Sequence, residues 1–380
     1  MKGSVRIGSV FGIPVYLHFS LLLIIPVFAV LIGSQIEFTA IFLEDIFGLS
    51  APIDLSLVTG TIMRYLLGLF VALSLFVGVL LHELGHAVVA QRGGIEVERI
   101  TLFILGGLAQ IGDVGADPKK ELPTALAGPF TSLLIGVICC SAAFGALHLI
   151  SNPAWAGLIF YILGYLGFLN IVLFLFNLIP AFPMDGGRVL RALLARKMPI
   201  TKATQIAAEI GRIFAVLFGI VAFILLSPIL IIIAVFIYIA AGQEAEMTKT
   251  TVLLEGVTVQ DAMSAPVVTV EKTRPLHEII DQMNGSHHLG FPVVERGRLI
   301  GMITLADLHK APPVDREALQ VKDVMSTSLH TILPTEPLRD AMMMLSKENI
   351  GRIPVVSTEG TLVGIVTRSD IFRVIELRGV

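Results

Sequence analysis

Three residues whose types and spacing suit metal chemistry lie close together in the chain: His82, Glu83 and His86. Residues four apart share one face of a helix, so the two imidazoles can bind one zinc ion. Glu83 can then face a zinc-bound water and take its proton, as in metal-assisted peptide hydrolysis. A five-residue motif is weak evidence alone. This one lies in an apolar run, where ionisable side chains are costly and usually functional, so it predicts a hydrolytic metal centre within a membrane.

A catalytic zinc usually has a third protein ligand, and Asp185 is the main candidate. It follows an apolar run interrupted by Pro180 and Pro183 and precedes two glycines, so we expect the helix to break and the chain to turn there. Irregular backbone at membrane depth survives only where it is buried or lines a wet cavity. The alternative is that Asp185 caps the next helix. His148 is too far along its own span, and His18 is better explained by a bond to a neighbouring backbone group.

The uneven distribution of charge divides the chain into two parts. Of its 380 residues, 55% are hydrophobic, and the mean hydropathy is +0.85. Asp, Glu, Lys and Arg account for 28 of the first 250 residues and for 29 of the last 130. A membrane part therefore precedes a soluble part. The net charge of −3 gives no indication of nucleic-acid binding, and the adjacent Cys139 and Cys140 offer neither a disulfide framework nor a cysteine zinc site.

The soluble part contains an internal repeat. The segments that match are Gln260–Ser264 with Lys322–Ser326, Phe291–Val294 with Ile353–Val356, and Gly301–Asp307 with Gly364–Asp370. Each unit alternates short β runs with an amphipathic helix. The repeats resemble a pair of cystathionine-β-synthase-type (CBS) domains, which implies an α/β fold. We place the two domains at residues 252–314 and 315–380.

Resemblance to CBS pairs also implies two sites for an adenosyl ligand, each built on a Thr-x-x-Asp element. The residues are Thr304 and Asp307 in one repeat and Thr367, Arg368 and Asp370 in the other. The carboxylate can accept both ribose hydroxyls, and the helix N-terminus favours a phosphate, as does the charge of Arg368. The ligand would be an adenine nucleotide or S-adenosylmethionine. The alternative is that both aspartates only cap their helices.

Uncharged runs predict six transmembrane helices, beginning with one from Ile13 to Gly33. Residues 213–241 could form one kinked helix or a tight hairpin about Ser227-Pro228. We expect the hairpin, because it leaves a nucleotide-sensing C-terminal part in the cytosol. The segments rich in Lys and Arg are residues 1–12, 92–120 and 185–202. The positive-inside rule therefore places the N-terminus and these loops in the cytoplasm of a multi-pass protein of the cell membrane.

The membrane part resembles the site-2 protease family, intramembrane zinc metalloproteases that cut membrane-spanning substrates. The resemblance rests on His-Glu-x-x-His in one span and on Asn-x-x-Pro and Asp-Gly at the end of a later one. Further segments that fit it are Gly8–Val15, Leu105–Ala109 and Ala127–Pro129. By matching position, it implies that His82, His86 and Asp185 bind one Zn²⁺ per chain. It also implies that Glu83 is the general base and that Asn177 stabilises the oxyanion or orients the substrate.

These features together predict a membrane α-helical bundle of six transmembrane helices over residues 1–248, followed by the CBS pair. We expect a zinc endopeptidase that cuts transmembrane protein substrates and is modulated by an adenosine-containing ligand. The CBS domains could also join two chains in a homodimer. The main alternative is a CBS-gated ion channel or transporter, although a pore needs no histidine pair with an adjacent Glu83. A catalytically inactive nucleotide receptor is hard to reconcile with that intact glutamate.

Residues 94–111 have the pattern of extended chain, with a break at Gly106-Gly107. A substrate helix must be unwound before hydrolysis, because its hydrogen bonds hide its backbone. We expect this segment to offer a strand edge on which the unwound substrate adds a strand. The alternative is an ordinary β-hairpin without substrate contact.

Overall fold

The computed structural model describes residues 3–104, 106–112, 117–286, 288–310 and 318–379. The chain forms two compact units, Met1–Thr248 and Lys249–Val380. The elements of the first unit are β1 (Ser4–Val10), β2 (Ile13–His18), α1 (Phe19–Ser34), α2 (Ile36–Phe47), α3 (Gly60–Arg92), β3 (Val97–Phe103), β4 (Gly106–Ile111), α4 (Pro118–Leu149), α5 (Pro153–Asn177), α6 (Asp185–Leu194), α7 (Ile200–Ile224) and α8 (Pro228–Leu253), which ends in the second unit.

Within the described residues, five helices are long and apolar enough to cross a membrane: α3, α4, α5, α7 and α8. The helices α1 and α2 meet at a bend of 69° and together could form a sixth, broken span. The predicted helical bundle is confirmed, and the predicted number of six is reached when this bent pair is counted. The predicted hairpin is also confirmed, because α7 and α8 are separate and antiparallel. Gly211 faces Ala241, and Gly219 faces Ala234.

The first predicted span was placed too early, because Ile13–His18 forms a strand rather than the start of a helix. The β-branched and aromatic residues of this stretch suit a strand, and an apolar run alone does not distinguish strand from helix. His18 then caps α1, where its Nδ1 accepts the N–H of Ser20 at 3.3 Å. The helix that remains is about 24 Å long at 1.5 Å per residue, shorter than the hydrocarbon core of a bilayer.

The four strands of the first unit form one sheet in the order β1-β2-β3-β4. The pairs β1–β2 and β3–β4 are antiparallel, whereas β2 and β3 are parallel, with Val15 opposite Ile100. Within the predicted extended segment 94–111, Val97–Phe103 and Gly106–Ile111 are strands as expected, and Leu105 lies outside the described residues. The predicted break at Gly106-Gly107 is wrong, because these two residues begin β4. However, β3 is paired on both sides, so among the described residues of this segment it is β4 whose outer edge another strand could join.

Small residues allow the long helices to approach closely, which is typical of helix packing in membranes. At Gly68 of α3, a Cβ atom would lie only 2.2 Å from the carbonyl oxygen of Ala29 in α1. The large buried side chains of this unit, among them Leu43, Phe160 and Tyr161, form a core between α2, α3 and α5. This packing fixes α3, the helix that bears the histidine motif.

The second unit has the predicted α/β fold. Its elements after α8 are α9 (Val259–Ala262), β5 (Val270–Glu271), α10 (Leu276–Ser286), β6 (Gly290–Glu295), β7 (Arg298–Thr304), α11 (Leu305–Lys310), α12 (Val321–Val324), α13 (Leu338–Lys347), β8 (Arg352–Val356), β9 (Leu362–Thr367) and α14 (Arg368–Gly379). The strands pair as β5-β6-β7 and β8-β9.

The two repeats exchange their first segments. Val259 of the first repeat packs with Leu338 and Ile353 of the second, whereas Val321 of the second packs with Leu276 of the first. The predicted boundary between residues 314 and 315 lies outside the described residues. Each of the two hydrophobic cores draws on both sequence repeats. The backbone bonds of the exchange are symmetric as well: Ser264 pairs with Ile365, and Ser326 pairs with Met302.

Candidate metal centre

His82, His86 and Asp185 converge at one point in the first unit. The Nε2 atom of each histidine lies 3.2 Å from Oδ2 of Asp185, and the two Nε2 atoms are 3.2 Å apart. Both histidines are buried, and only 15% of the Asp185 side chain is exposed. Zinc bonds of about 2.0–2.1 Å in tetrahedral geometry would separate the ligand atoms by about 3.3 Å. The donor types and the spacing therefore fit a zinc ion.

Two helices, α3 and α6, position these side chains. His82 and His86 are one turn apart on α3, and Asp185 is the first residue of α6. Asp185 therefore both starts α6 and faces the histidines. Gly186 makes the turn feasible, since a Cβ atom there would lie 2.2 Å from the carbonyl oxygen of Ile179.

The helix α4 orients both imidazoles from behind. Nδ1 of His86 donates to the carbonyl oxygen of Thr124 at 2.7 Å, because a carbonyl can only accept. Its Nε2 atom therefore carries the free lone pair that a metal needs. Nδ1 of His82 lies 2.9 Å from the hydroxyl of Ser132, which is fully buried. Sequence analysis missed Thr124 and Ser132.

Gly128 of α4 lies over the centre. A Cβ atom at this position would be 2.1 Å from Nε2 of His86. The sequence Ala127–Pro129 supports the resemblance to the site-2 proteases, but the sequence alone gives it no role. Its close approach to His86 suggests one, because a glycine at position 128 leaves room for a metal ion beside Nε2.

Glu83 is held by β4. Its Oε2 atom accepts the backbone N–H of Ala109 at 3.0 Å. A Cβ atom at Gly107 would lie 2.3 Å from Cγ of Glu83, so glycine is needed for the strand to pass this close. The edge strand of the sheet and the candidate base are therefore in direct contact.

The other two histidines of the first unit, His18 and His148, and Asn177 lie in different surroundings. The amide of Asn177, at the end of α5, donates to the carbonyl oxygen of Leu173 at 3.0 Å, within its own helix. Nδ1 of His148 bonds the carbonyl oxygen of Phe144 at the exposed far end of α4. His18 caps α1, as described above.

In the second unit, both Thr-x-x-Asp elements form helix caps. Oδ2 of Asp307 accepts the N–H and the hydroxyl of Thr304 at 3.0 and 2.6 Å. Oδ2 of Asp370 accepts the same two groups of Thr367 at 2.9 and 2.7 Å. Both aspartates are buried. The alternative interpretation, in which both aspartates cap their helices, therefore describes contacts that are formed. A ligand would have to bind to carboxylates that already accept hydrogen bonds from Thr304 and Thr367.

Three residues that sequence analysis missed complete these elements. The hydroxyl of Ser264 donates to Oδ1 of Asp370 at 3.0 Å, and Ser326 donates to Oδ1 of Asp307 at 3.2 Å, each across the exchanged repeats. Arg373 donates to Oδ1 of Asp370 at 2.5 Å. The guanidinium of Arg368 lies 3.4 Å from two backbone carbonyl oxygens, of residues 345 and 350.

Comparison with known proteins gives two family matches. The family described as Peptidase family M50 matches residues 70–149 and 142–218, which include the histidine motif and Asp185. The family described as CBS domain matches residues 259–313 and 321–377.

Individual proteins match over longer stretches. A zinc metalloprotease of Methanocaldococcus jannaschii is 33% identical over 380 residues, 99% of this chain and 97% of that protein. The solved structure of a site-2 protease from the same organism is 33% identical, covers 64% of this chain and 95% of that one, and has a TM-score of 0.42. The structure of the CBS domain pair of a protein in complex with 5′-methylthioadenosine and S-adenosyl-L-methionine is 28% identical. It covers 32% of this chain and 98% of that one, with a TM-score of 0.30.

Proposed function

Because the chain belongs to peptidase family M50, as a zinc metalloprotease of the site-2 type with a CBS pair, we propose that it hydrolyses peptide bonds within, or at the cytoplasmic edge of, transmembrane segments of other proteins. The membership confirms both resemblances drawn from the sequence. It also favours an enzyme over the ion channel, the transporter and the inactive receptor that were considered there.

We assign His82, His86 and Asp185 as the protein ligands of one zinc ion. Bound there, zinc would polarise the scissile carbonyl and lower the pKa of the attacking water towards about 7. Glu83 takes the proton of that water and passes it to the leaving amine. The Ala109 N–H holds one oxygen of Glu83 and thereby orients the carboxylate. The amide of Asn177 has a second N–H beyond the one bonded to Leu173, and we assign it to the oxyanion.

The observation that carries the proposal is the mutual 3.2 Å spacing of three buried or half-buried ligand atoms. The test measures zinc content of the purified full-length protein by elemental analysis, together with cleavage of a single-span membrane substrate. Glu83→Gln should retain one zinc ion per chain and lose cleavage. Asp185→Ala and His82→Ala should lose both. Full zinc occupancy in either alanine variant would remove that residue from the ligand set, and near-normal cleavage by Glu83→Gln would exclude it as the base.

We further propose that unwound substrate adds a strand to β4. This strand has a free edge, and its residue Ala109 contacts Glu83, so a substrate strand there would run beside the base. Because β3 is paired on both sides, the proposed site of strand addition is Gly106–Ile111 and not the whole segment 94–111.

The CBS pair is proposed to regulate cleavage by binding an adenine nucleotide or S-adenosylmethionine at Thr304 and Asp307 and at Thr367, Arg368 and Asp370. The helix α8 is the last of the membrane part and continues into the second unit, so a rearrangement there has a direct route to the membrane helices. In this proposal the N-terminus and both CBS domains are cytoplasmic, and the CBS domains can join two chains.

A further inference from the structure

The irregular segment that leads from α5 to Asp185 is held through Phe182, whose side chain is buried. Its backbone N–H donates to the carbonyl oxygen of Ala207 on α7 at 3.4 Å, and its side chain shares a hydrophobic cluster with Ala241 of α8. At Gly211 of α7, a Cβ atom would lie 2.2 Å from the carbonyl oxygen of Phe182. The packing of α7 and α8 therefore fixes the course of the chain just before the third proposed ligand.

Arg191 of α6 contacts the same segment and extends the connection along α8. Its guanidinium lies over the ring of Phe182, 5.1 Å from the centroid. One terminal nitrogen donates to Oε1 of Glu244 at 3.0 Å and to the hydroxyl of Thr248 at 3.4 Å, both on α8. The other two nitrogens donate to Glu121 of α4. Arg191 therefore joins α4, α6 and α8 at one buried point.

The two contacts on α8 lie where the membrane part ends. The first unit ends at Thr248, whereas α8 runs on to Leu253. In the second unit, Arg378 donates to the carbonyl oxygen of Leu253 at 3.3 Å. The same helix is therefore bonded to Arg191 in the first unit and to Arg378 in the second. Because a helix moves as a stiff element, a shift or rotation of its end reaches Glu244 directly.

We propose that Glu244 is a positioning residue for the metal centre: it holds Arg191 and thereby the start of α6, which bears Asp185. This role rests on the proposed assignment of Asp185 as a ligand, and it names the contact through which α8 would act in the proposed regulation. A guanidinium can bind two carboxylates at once because its donors diverge in a fixed plane. A displacement of α8 that breaks the Glu244 contact leaves Arg191 on Glu121 alone, and the start of α6 shifts with it.

The test measures the zinc affinity of the purified full-length protein by competition with a chelator. It also records the visible absorption of the cobalt-loaded protein, since those bands depend on ligand geometry and not on overall stability. Glu244→Gln should lower zinc affinity by about two- to thirtyfold, the range for residues that couple to a site without contacting its ligand, and should shift the cobalt bands. Glu246→Gln removes the same charge from an exposed position of α8 and should change neither.

A second background shows whether Glu244 acts through Arg191. Arg191→Lys keeps a positive charge beside Glu121, but a single ammonium group cannot span both carboxylates. In this background, Glu244→Gln should cause no further loss of zinc affinity. Equal losses in both backgrounds, or an unchanged cobalt spectrum in Glu244→Gln, would overturn the role of Glu244 and leave the metal centre in place. If the wild-type protein itself bound neither zinc nor cobalt, the proposed ligand set would be wrong and the role of Glu244 would fail with it.

Discussion

Arg191 on α6 and Glu121 on α4 form an ion pair that is buried in the membrane part. Nε of Arg191 donates to Oε1 of Glu121 at 2.7 Å, and a terminal nitrogen donates to the same oxygen. Only 7% of Arg191 and 2% of Glu121 is exposed. Arg191 also donates to Glu244 of α8 at 3.0 Å. Since Asp185 begins the helix that carries Arg191, these contacts fix the position of the third proposed ligand and connect it to α8.

Removing one partner of this pair should therefore weaken zinc binding at a distance. Glu121→Gln leaves Arg191 without its closest carboxylate, and breaking a buried pair in this way costs about 3–5 kcal/mol. We expect a lower thermal midpoint and at least a tenfold loss of zinc affinity, measured by competition with a chelator. The control is Arg196→Gln, an exposed position, which should change neither. Unchanged zinc affinity in a destabilised Glu121→Gln would show that the pair stabilises the fold without positioning Asp185.

Gly128→Ala should exclude the metal with little change elsewhere. The added methyl group would lie 2.1 Å from Nε2 of His86, so the imidazole must move away from the position where it meets Asp185. We expect loss of bound zinc in a folded protein, measured by elemental analysis and circular dichroism. Gly145→Ala is the matched control: it lies on the same helix, and nothing lies within 4 Å of its added Cβ atom. A full complement of zinc in Gly128→Ala would show that the centre lies elsewhere.

Ser132→Ala should lower zinc affinity without abolishing it. The hydroxyl of Ser132 bonds Nδ1 of His82 and helps to keep Nε2 directed at the centre. Loss of such an outer contact typically costs ten- to a hundredfold in metal affinity. Ser141→Ala, at an exposed position of the same helix, serves as control. Rescue by Ser132→Thr would support the hydrogen bond as the cause, and equal affinities in Ser132→Ala and Ser141→Ala would contradict it.

The sequence was sufficient where the relevant spacing is local. His82 and His86 are four apart, and helical periodicity places them on one face without further information. The contact of Ser132 with His82 depends on how α4 packs on α3, and no local pattern encodes that packing. The exchange of first segments between the two repeats could not be predicted for the same reason, because the sequence of each repeat contains all the elements of one domain. The strand Ile13–His18 was mistaken for helix because a short apolar run has no distinguishing period.

The proposed substrate strand on β4 predicts a specific pattern of cross-links. With Cys139 and Cys140 replaced by alanine, Leu108→Cys should form disulfides with single cysteines in a trapped substrate at every second position. That period arises because alternate residues of a strand face the same side. The opposite edge of the sheet, β1, provides the control through Val5→Cys, which is 70% exposed. Equal cross-linking at both edges, or a period of three to four residues, would argue against strand addition at β4.

The hydrogen bonds that Asp370 already accepts predict what an adenosyl ligand must displace to bind at the second repeat. A carboxylate has about four acceptor positions, and here they receive two donors from Thr367, one from Ser264 and one from Arg373. Ribose hydroxyls must therefore displace one of these donors. Ser264→Ala removes such a competitor but keeps the helix cap, so we expect binding to strengthen by about two- to tenfold, the value of one hydrogen bond. Asp370→Asn should abolish binding at this site.

The measurement is calorimetric titration of the full-length protein with AMP, ADP, ATP and S-adenosylmethionine. If Ser264→Ala leaves the affinity unchanged, or if Asp370→Asn still binds normally, Asp370 acts only as a helix cap.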